Sequence, residues 1–216
     1  MVEFRNEPLT DFSHPENQEQ MLKALEKVAA GLGAGYDLII GGRKVATKDR
    51  FHSYNPSDKD EIVGSCARAG EKEARRAVET AYETFCWWQH TPADERAGYL
   101  LRAANIVRRR KFELAAWMVY EVGKNWVEAD ADVAETIDFL EFYAREALRY
   151  AGEQPVTPYP GEFNELRYIP LGVGVVIPPW NFPCAIMAGM TSAALVTGNT
   201  VVLKPSSDAP VICAKF

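Results

Sequence analysis

Two polar side chains stand close behind two short apolar runs in the last third of the chain. Asn181 follows the run Val173–Ile177, and Lys204 follows the run Thr200–Leu203. Such runs are typical of buried parallel strands, and a proline near the end of each run stops the ladder there. An amide and an ammonium both donate hydrogen bonds, so these side chains are candidates for binding a polar ligand.

The segment between the two runs completes a predicted β-α-β unit. Residues 184–196 are small and apolar, Pro183 precedes them where a first helical turn accepts proline, and Gly198 follows them. Because the crossover of such a unit is right-handed, Asn181 and Lys204 are expected at the same carboxyl edge of the sheet. Open α/β folds bind ligands at that edge. No Gly-x-Gly-x-x-Gly follows the first run, so the phosphate-binding fingerprint of dinucleotide folds is not present.

Cysteine and histidine are scattered along the chain. The cysteines are Cys66, Cys86, Cys184 and Cys213. They form no Cys-x-x-Cys pair, and they are interpreted as buried thiols and not as a zinc site or a disulfide framework. The three histidines show no ligand spacing, so no metal site is expected. Cys184 has no nearby cation in the sequence to favour its thiolate, and it is not predicted to be a nucleophile.

Periodic apolar residues predict a helical body ahead of the β-α-β unit. The predicted helices cover residues 70–88, a stretch beginning near Thr91, residues 112–122 and residues 125–150. The first of these helices is expected to turn one face inward, formed by Ala74, Val78, Ala81 and Phe85. Gly123 separates the last two. Before the helices, Gly41–Gly42 predict the turn of a β-hairpin, because glycine supplies the positive φ angles that a tight turn requires.

The remaining segments predict less regular structure. Residues 1–35 look like an amino-terminal arm, with a flexible break at Gly31–Gly35. Residues 154–170 are too rich in proline for a central strand and predict an edge hairpin that turns at Pro160–Gly161. Ser206–Pro210 predicts a helix start, with capping side chains and a proline in the first turn.

Composition restricts the class of protein. The 216 residues are 47% hydrophobic and 25% charged, as expected for a globular chain with a sizeable core. A net charge of -6 argues against general nucleic-acid binding, and the basic run Arg108–Lys111 is interpreted as a solvated helix face. The chain opens with neither a basic leader nor an apolar core, and no run reaches the roughly 18 apolar residues of a membrane span. We therefore expect a cytoplasmic protein with no nucleic-acid partner and no membrane segment.

Several of these segments together resemble the amino-terminal part of an aldehyde dehydrogenase. The resemblance is carried by the hairpin at Gly41–Gly42, by Glu121–Lys124, by Pro178–Pro183 and by Leu203–Ser206. It runs along nearly the whole chain. Within that superfamily, three stretches look most like the 1-pyrroline-5-carboxylate dehydrogenases, which oxidise glutamate γ-semialdehyde to glutamate. These stretches are Phe4–Pro8, Tyr120–Glu128 and Pro158–Gly161.

The resemblance implies an α/β fold in which helices and β-hairpins lead into an incomplete Rossmann-like parallel sheet. Residues 36–151 and 171–216 would form an incomplete cofactor-binding domain, and residues 152–170 an oligomerisation hairpin. The catalytic domain of the family would be absent.

The family reaction is the attack of a cysteine thiolate on an aldehyde, hydride transfer to a nicotinamide cofactor and release of the acid by water. Asn181 matches the family asparagine whose amide donates to the oxyanion, and Lys204 matches the lysine that binds the ribose hydroxyls of the cofactor. Phe182 would be a wall of the aldehyde pocket, and Glu135 would reach the substrate mouth. The resemblance assigns the cofactor side of the site to Ile177, Pro178, Pro179, Trp180, Lys204, Ser206 and Ser207.

The expected cofactor is NAD, and NADP is left possible by Ser207. Many family members place a glutamate at this position, three residues after the lysine, where it accepts from the ribose. A carboxylate there would repel a 2′-phosphate, and serine would not.

Each of these assignments has a structural alternative. Asn181 could cap the following helix, Trp180 and Phe182 could be core aromatics, and Lys204 could be a solvated lysine. Glu135 could belong to a solvated acidic helix face that it shares with Asp132 and Asp138.

The nucleophilic cysteine and the general-base glutamate of the family belong to a carboxyl-terminal half that the sequence does not contain, so the chain alone is predicted to be inactive. The expected partners are a small-molecule aldehyde and either a homo-oligomer or a complementing carboxyl-terminal half. One alternative is a non-catalytic remnant that associates with a full-length relative through residues 154–170. A free-standing helical binding module is a poorer alternative, because it would leave a two-stranded sheet exposed.

Overall fold

The computed structural model describes residues 3–216 as a mixed α/β fold dominated by helices. The helices are α1 (Pro15–Ala29), α2 (Glu71–Trp88), α3 (Ala93–Arg109), α4 (Lys111–Val122), α5 (Trp126–Ala151), α6 (Ala185–Val196) and α7 (Pro210–Lys215). The strands are β1 (Ala34–Tyr36), β2 (Leu38–Ile40), β3 (Arg43–Val45), β4 (Arg50–Asn55), β5 (Asp58–Ala67), β6 (Val173–Val176) and β7 (Thr200–Leu203). The predicted fold class is confirmed.

The main core lies between α3, α4 and α5, and α6 packs against α5. Alanine is frequent at these contacts, and Ala104, Ala116 and Ala144 are completely buried. Small side chains let helix axes approach closely, while Met118 and Ile137 fill the remaining space. The helices thus form the packed support on which the β-α-β unit rests.

The break between α4 and α5 is confirmed at Gly123. This residue has φ +68° and is the left-handed C-cap of α4, a conformation that glycine adopts without a steric penalty. Asn125 then caps α5, and its Oδ1 accepts a hydrogen bond of 2.9 Å from the backbone N of Glu128. The two caps hold Lys124 between the two helices.

The smaller strands form two sheets. β2 and β3 are the predicted antiparallel hairpin, with φ of +58° at Gly41 and +72° at Gly42. β5 is the centre of a three-stranded sheet, with β4 antiparallel on one side and β1 parallel on the other. The flexible break predicted at Gly31–Gly35 is therefore wrong at its end, because the exposed edge of β5 pairs with Ala34–Tyr36.

The predicted β-α-β unit is confirmed. β6 and β7 are parallel, with Val173 opposite Thr200 and Val176 opposite Leu203. Helix α6 connects the two strands, close to the limits predicted from the sequence. The two strands consequently end side by side.

Residues 152–170 do not form the predicted paired hairpin. The turn at Pro160–Gly161 is present, and Glu162 N donates to the carbonyl of Tyr159 at 3.1 Å. No strand ladder is found between 152 and 170, since proline removes backbone donors and no strand of residues 3–216 lies alongside. Phe163 is 94% exposed there. A role of this segment in oligomerisation stays a prediction.

The inward face predicted for α2 is partly wrong. Ala74 and Val78 are exposed, whereas Ala81 is buried. The reason is that α2 packs against β7, where the Thr200 hydroxyl donates a 2.8 Å hydrogen bond to the carbonyl of Ala81. The small strands that α2 contacts cover a narrower face of the helix than the apolar period of the sequence suggested.

The basic run Arg108–Lys111 is a solvated face only in part, because Arg109 is exposed whereas Arg108 and Lys111 are paired. Arg108 bridges two carboxylates, at 2.9 Å from Glu7 and 2.7 Å from Glu141. Lys111 is 9% exposed and lies 3.0 Å from Asp130. These cations balance carboxylates of α5 and of the amino-terminal segment, a pairing between distant parts of the sequence that local spacing does not reveal.

The amino-terminal segment is packed and not a detached arm. Residues 3–14, which we call the amino-terminal strap, lie across α5, where Thr10 N donates to Asp130 at 2.8 Å and Glu7 N donates to Asp138 at 2.6 Å. Helix α1 then packs on α4 and places Met21, which is fully buried, in the core. Residues 1 and 2 of the predicted arm lie outside the described residues.

The last helix, α7, is held at its start by a buried glutamate. Pro210 occupies the first turn as predicted, but the N-cap is Ala209, which offers no capping side chain. Instead, Glu121 accepts hydrogen bonds of 2.7 Å from the backbone N of Val211 and from that of Ile212. The Ser53 hydroxyl donates to the same carboxylate at 2.9 Å. Capping by the serines before the helix is thus replaced by capping from α4.

The buried carboxyl of Glu121 should make the free energy of unfolding depend on pH. Burial raises the pKa of its carboxyl to about 7 from an ordinary value of 4.5, although three hydrogen bonds favour the charged form. Because the folded pKa is the higher one, the stabilisation from this group is complete below pH 4.5 and is lost as the pH rises through 7. We expect the free energy of unfolding, relative to E121Q, to fall by about 3 kcal/mol over this range. Urea unfolding of both proteins from pH 4.5 to 7.5 measures this difference, and a difference that does not change with pH would contradict the prediction.

Candidate functional site

The two polar side chains that follow the apolar runs are placed at one edge of the small parallel sheet. β6 and β7 are in register and end at Val176 and Leu203. The backbone N of Lys204 donates to the carbonyl of Val176 at 2.9 Å, which extends the pairing by one step. Asn181 lies on residues 177–184, the connection from β6 to α6, which we call the edge turn. The structure thus places both residues at the carboxyl edge, as predicted.

The side chain of Asn181 is exposed and does not cap a helix. α6 begins at Ala185 with Cys184 as its N-cap, and no side chain of the edge turn caps it. Within residues 3–216, the Asn181 amide makes no hydrogen bond. The helix-cap interpretation is therefore wrong, and the two amide donors are available to a ligand.

The aromatic residues beside Asn181 are not part of the core, which excludes the second structural alternative. Trp180 is 53% exposed and Phe182 is 41% exposed. Ile177 and Pro179 are also exposed, whereas Pro178 is buried and anchors the turn. The edge turn therefore presents an apolar surface next to a hydrogen-bond donor.

The residues after β7 are accessible as well. Lys204 and Ser207 are exposed, and within residues 3–216 the Lys204 ammonium has no ion-pair partner. Ser206 is half-buried, and its hydroxyl accepts from the backbone N of Asp208 at 3.3 Å. The roles of these residues toward a cofactor stay predictions.

Lys124 is a site residue to which sequence reasoning assigned no role. Its ammonium lies 2.7 Å from Asp132 Oδ2 and 4.1 Å from the ring centroid of Phe182. An ammonium over an aromatic face is attracted by the ring quadrupole. Lys124 therefore joins the end of α4 to both α5 and the edge turn.

A pocket of about 280 Å³ lies between α5 and the edge turn. Its lining is Lys124, Glu128, Ala131, Asn181 and Phe182. An ammonium and an amide can both donate hydrogen bonds into this space, and Phe182 adds an apolar wall. Such an arrangement suits a small ligand with a hydrogen-bond-accepting oxygen, whereas the carboxylates of Glu128 and Asp132 disfavour a full negative charge.

Asp132 is buried, contrary to the solvated acidic face considered from the sequence. Its side chain is inaccessible, and its Oδ1 accepts a 2.7 Å hydrogen bond from the backbone N of Ala185 while Oδ2 pairs with Lys124. Burial raises the pKa of Asp132, and the hydrogen bond and charge of Lys124 oppose that effect. Asp138, the other member of that face, binds the amino-terminal strap.

Glu135 keeps the exposed position expected for a residue at the mouth of the site. It lies on α5 one turn beyond Ala131, on the same face as the pocket. Burial, and next the charge of Asp132, raise the pKa of its carboxyl. Within residues 3–216, the carboxylate forms no hydrogen bond or ion pair. The position fits both a contact with substrate and a solvated carboxylate.

The cysteines do not supply an activated thiol near Asn181. Cys184 is completely buried, and burial followed by the charge of Asp132 raises the pKa of its thiol to about 12. A thiol with such a pKa stays protonated and is a poor nucleophile. This supports the expectation that Cys184 is not the nucleophile. All four cysteines are free, but the expectation of buried thiols is wrong for Cys86, which is exposed, and Cys213 is half-buried.

Among residues 3–216, no group of three or more His, Cys, Asp or Glu side chains is arranged to hold a metal ion. None of the helices in that range combines the length and apolar character that crossing a bilayer requires.

Comparison with known proteins gives one family. Residues 43–216 match the aldehyde dehydrogenase family. The 1-pyrroline-5-carboxylate dehydrogenase of Geobacillus kaustophilus is 56% identical over 213 residues, which are 99% of this chain and 41% of that protein. The chain thus spans about two fifths of the length of the curated relatives it matches.

Solved structures agree with this result. The structure of 1-pyrroline-5-carboxylate dehydrogenase from Thermus with bound NAD is 53% identical, with a TM-score of 0.96, and the match covers 100% of this chain and 42% of that one. The Δ-pyrroline-5-carboxylate dehydrogenase of Mycobacterium tuberculosis bound with NAD is 30% identical, with a TM-score of 0.90, over 100% and 41% of the two chains. The architecture described above is that of the amino-terminal part of these proteins.

Proposed function

Because the chain belongs to the aldehyde dehydrogenase family, we propose that it forms the amino-terminal part of an NAD-dependent enzyme that oxidises L-glutamate γ-semialdehyde to L-glutamate. The observation that carries this proposal is the Asn181 amide, which is exposed beside a pocket and has no partner within residues 3–216. An unpaired donor at a pocket wall is what stabilisation of a developing oxyanion requires.

Asn181 would donate a hydrogen bond to the aldehyde oxygen as negative charge develops on it. The effect is large when the donor is fixed in advance and water is largely excluded. Lys124, whose ammonium lies over Phe182 and pairs with Asp132, can donate a further hydrogen bond toward the same pocket. Phe182 would form one wall of the aldehyde pocket, and Glu135 would meet the polar end of the substrate at the mouth.

The residues at the carboxyl edge fit a dinucleotide cofactor. Ile177, Pro179 and Trp180 expose an extended apolar surface, and Lys204 exposes a cation one strand away. When bound, NAD would accept the hydride from the substrate. The backbone of the edge turn, including buried Pro178, would support the cofactor, and Lys204 would bind the ribose hydroxyls.

The choice between NAD and NADP depends on the residues after Lys204. Ser206 and Ser207 carry no charge, so nothing at these positions repels a 2′-phosphate. We propose NAD as the main cofactor, with NADP accepted to a measurable extent. The proposed location is the cytoplasm, where dehydrogenases draw on the pool of nicotinamide cofactors.

We propose further that residues 1–216 alone do not oxidise aldehydes. The buried Cys184 is no substitute for an activated nucleophile, and the matched relatives are more than twice as long as the match. The missing groups would come from a complementing carboxyl-terminal half, and the assembly would be a homo-oligomer. The exposed apolar side chains near residues 163–171 support association through this segment, since Phe163 is 94% and Leu171 is 95% exposed.

Two assays test this proposal. In the first, the purified 216-residue chain is incubated with glutamate semialdehyde and NAD, and no turnover above a boiled control is expected. In the second, the chain replaces the matching 42% of the Thermus enzyme, and this chimera is expected to reduce NAD in the presence of the aldehyde. An inactive but folded chimera would contradict the proposed function, and turnover by the chain alone would contradict its dependence on a second half.

A non-catalytic protein that associates with a full-length relative is the second candidate. The same exposed apolar segment favours it, because Phe163 and Leu171 have no cover within residues 3–216. Mixing the chain with a full-length relative and measuring the mass of the complex separates the two candidates, together with the intact mass of the native protein from its own cell. A stable complex whose activity does not depend on Asn181 of this chain would favour the second candidate.

A further inference from the structure

We propose that Asp132, together with Lys124, is the positioning residue of the edge turn and holds the Asn181 amide at the carboxyl edge of the sheet. The inference rests on the function proposed for Asn181 and extends it, because it names the groups that fix this amide. Asn181 itself forms no hydrogen bond within residues 3–216, so its position is set by its neighbours.

The first contact lies at the start of α6. The first backbone N–H groups of a helix have no partner inside the helix, and the N-cap Cys184 provides no side-chain acceptor. Asp132 of α5 supplies it, since its Oδ1 accepts from Ala185 N at 2.7 Å and the Cys184 amide donates to the same carboxylate. A negative charge at a helix N-terminus is also favoured by the helix dipole. The far end of the edge turn is thus fixed to α5.

The second contact lies on the other side of the carboxylate. Oδ2 of Asp132 is 2.7 Å from the ammonium of Lys124, and both side chains are almost completely buried. Lys124 has little freedom, because Gly123 ends α4 immediately before it and the cap Asn125 starts α5 immediately after it. The carboxylate therefore receives donors from two separate elements whose positions are fixed.

The third contact reaches the residue next to Asn181. The Lys124 ammonium lies 4.1 Å from the ring centroid of Phe182. Consequently the backbone that carries Asn181 is restrained at Phe182 by Lys124 and at Ala185 by Asp132. The side chain of Asn181 is the part of this segment left without a partner.

The packing of α6 makes this restraint stiff. A β-carbon at Gly189 would come within 2.9 Å of the ring of Phe139, so the backbone of α6 lies directly against this side chain of α5. Gly189 is about one turn beyond Ala185 on α6, and Phe139 is about two turns beyond Asp132 on α5. A displacement of the edge turn would have to move α6 against this contact.

Stability alone does not account for a buried pair of this kind. Removing an aspartate and a lysine from water has a large cost, and well-packed apolar side chains often stabilise a protein as well or better. The charged pair instead fixes the positions of the groups it binds, because each oxygen of Asp132 accepts from a specific donor at 2.7 Å. That is the property required to place a catalytic amide.

The first test uses the 216-residue chain and does not depend on activity. D132N leaves one acceptor oxygen where the carboxylate has two and removes the negative charge that favours the start of α6, so the Lys124 ammonium and the amides of Cys184 and Ala185 compete for a single acceptor. We expect hydrogen exchange of the Ala185 amide to accelerate by about tenfold or more relative to the Ala104 amide in the core. The matched control is D130N, which breaks another buried aspartate–lysine pair on the same helix, with Lys111, and should accelerate Thr10 without a selective effect at Ala185.

The second test uses the chimera and separates positioning from a general structural role. D132N is expected to lower kcat by about tenfold or more with the KM for NAD nearly unchanged, whereas D130N should keep kcat within about twofold. In the background of N181A, D132N should lower kcat by less than about twofold further, because the group that it positions is already absent.

Two results would contradict the proposed role of Asp132. Unchanged exchange at Ala185 in D132N would overturn it, as would effects of D132N and N181A on kcat that simply multiply. If D132N does not fold, K124M is used in the kinetic test, since it keeps the Asp132 cap and removes the ammonium, and it should lower kcat in the same non-additive way. An inactive wild-type chimera counts against the proposed function, and the exchange measurement on the 216-residue chain then decides the positioning on its own.

Discussion

Replacing Asn181 by alanine is expected to lower kcat of the chimera by about 100-fold or more. Removing one preorganised donor from an oxyanion site has an effect of this size, because the donor acts where charge develops in the transition state. The KM for the aldehyde should change little, since the interaction is stronger in the transition state than in the ground state. Steady-state reduction of NAD, followed by absorbance, gives both constants.

The control for this substitution is another exposed asparagine. Asn105 on α3 accepts one surface hydrogen bond from Arg108 and lies outside the edge turn. N105A should keep kcat within about twofold of the parent. N181A should also keep the free energy of unfolding, because the Asn181 amide forms no hydrogen bond within residues 3–216. A kcat for N181A within threefold of the parent would remove Asn181 from the proposed mechanism.

Replacing Asp130 by alanine is expected to destabilise the fold by about 3–5 kcal/mol. Asp130 is 1% exposed, lies 3.0 Å from the Lys111 ammonium and accepts two hydrogen bonds from Thr10. Without it, the buried ammonium keeps only the carbonyl of Pro8 and the hydroxyl of Thr10 as partners. An uncompensated buried charge is far more costly than the loss of a surface ion pair. Urea unfolding followed by tryptophan fluorescence measures the change.

Two further variants show whether charge is the cause. D138N weakens a more accessible contact between α5 and the amino-terminal strap, so it should cost no more than about 1.5 kcal/mol. The double variant K111M/D130L removes both charges and should recover most of the lost stability. A D130A protein that unfolds at the same urea concentration as the parent would show that the strap contributes little to stability.

The sequence correctly predicted those elements that are determined by residues close together along the chain. The break between α4 and α5 follows from a glycine in a left-handed cap and from the asparagine that caps the next helix, and both are visible in three consecutive residues. The hairpin at Gly41–Gly42 and the β-α-β unit have the same kind of origin, in turn residues and in short apolar runs. The position of Asn181 at the strand ends followed directly from that unit.

What the sequence could not show depends on partners far along the chain. Arg108 and Asp132 look like members of solvated faces, because their neighbours in sequence are charged. In the fold, Arg108 binds Glu7, about 100 residues away, and Asp132 caps a helix that begins 53 residues later. β4 and β5 were likewise missed, since β5 is the centre of a small sheet and its strand content is decided by pairing on both sides. The spacing of apolar and charged residues within one segment does not reveal contacts with residues so far along the chain.

The cap of α6 has a consequence for the order in which the protein acquires its structure. The acceptor for the first turn of this helix is made by the ribosome 53 residues before the helix itself. Synthesis proceeds from the amino end, so α3, α4 and α5 can already be packed together when α6 emerges, and the Asp132 carboxylate is then available to accept from its first amides. An isolated peptide that contains only β6, α6 and β7 would lack that acceptor. The first backbone N–H groups of its helix would then have no protein hydrogen-bond partner.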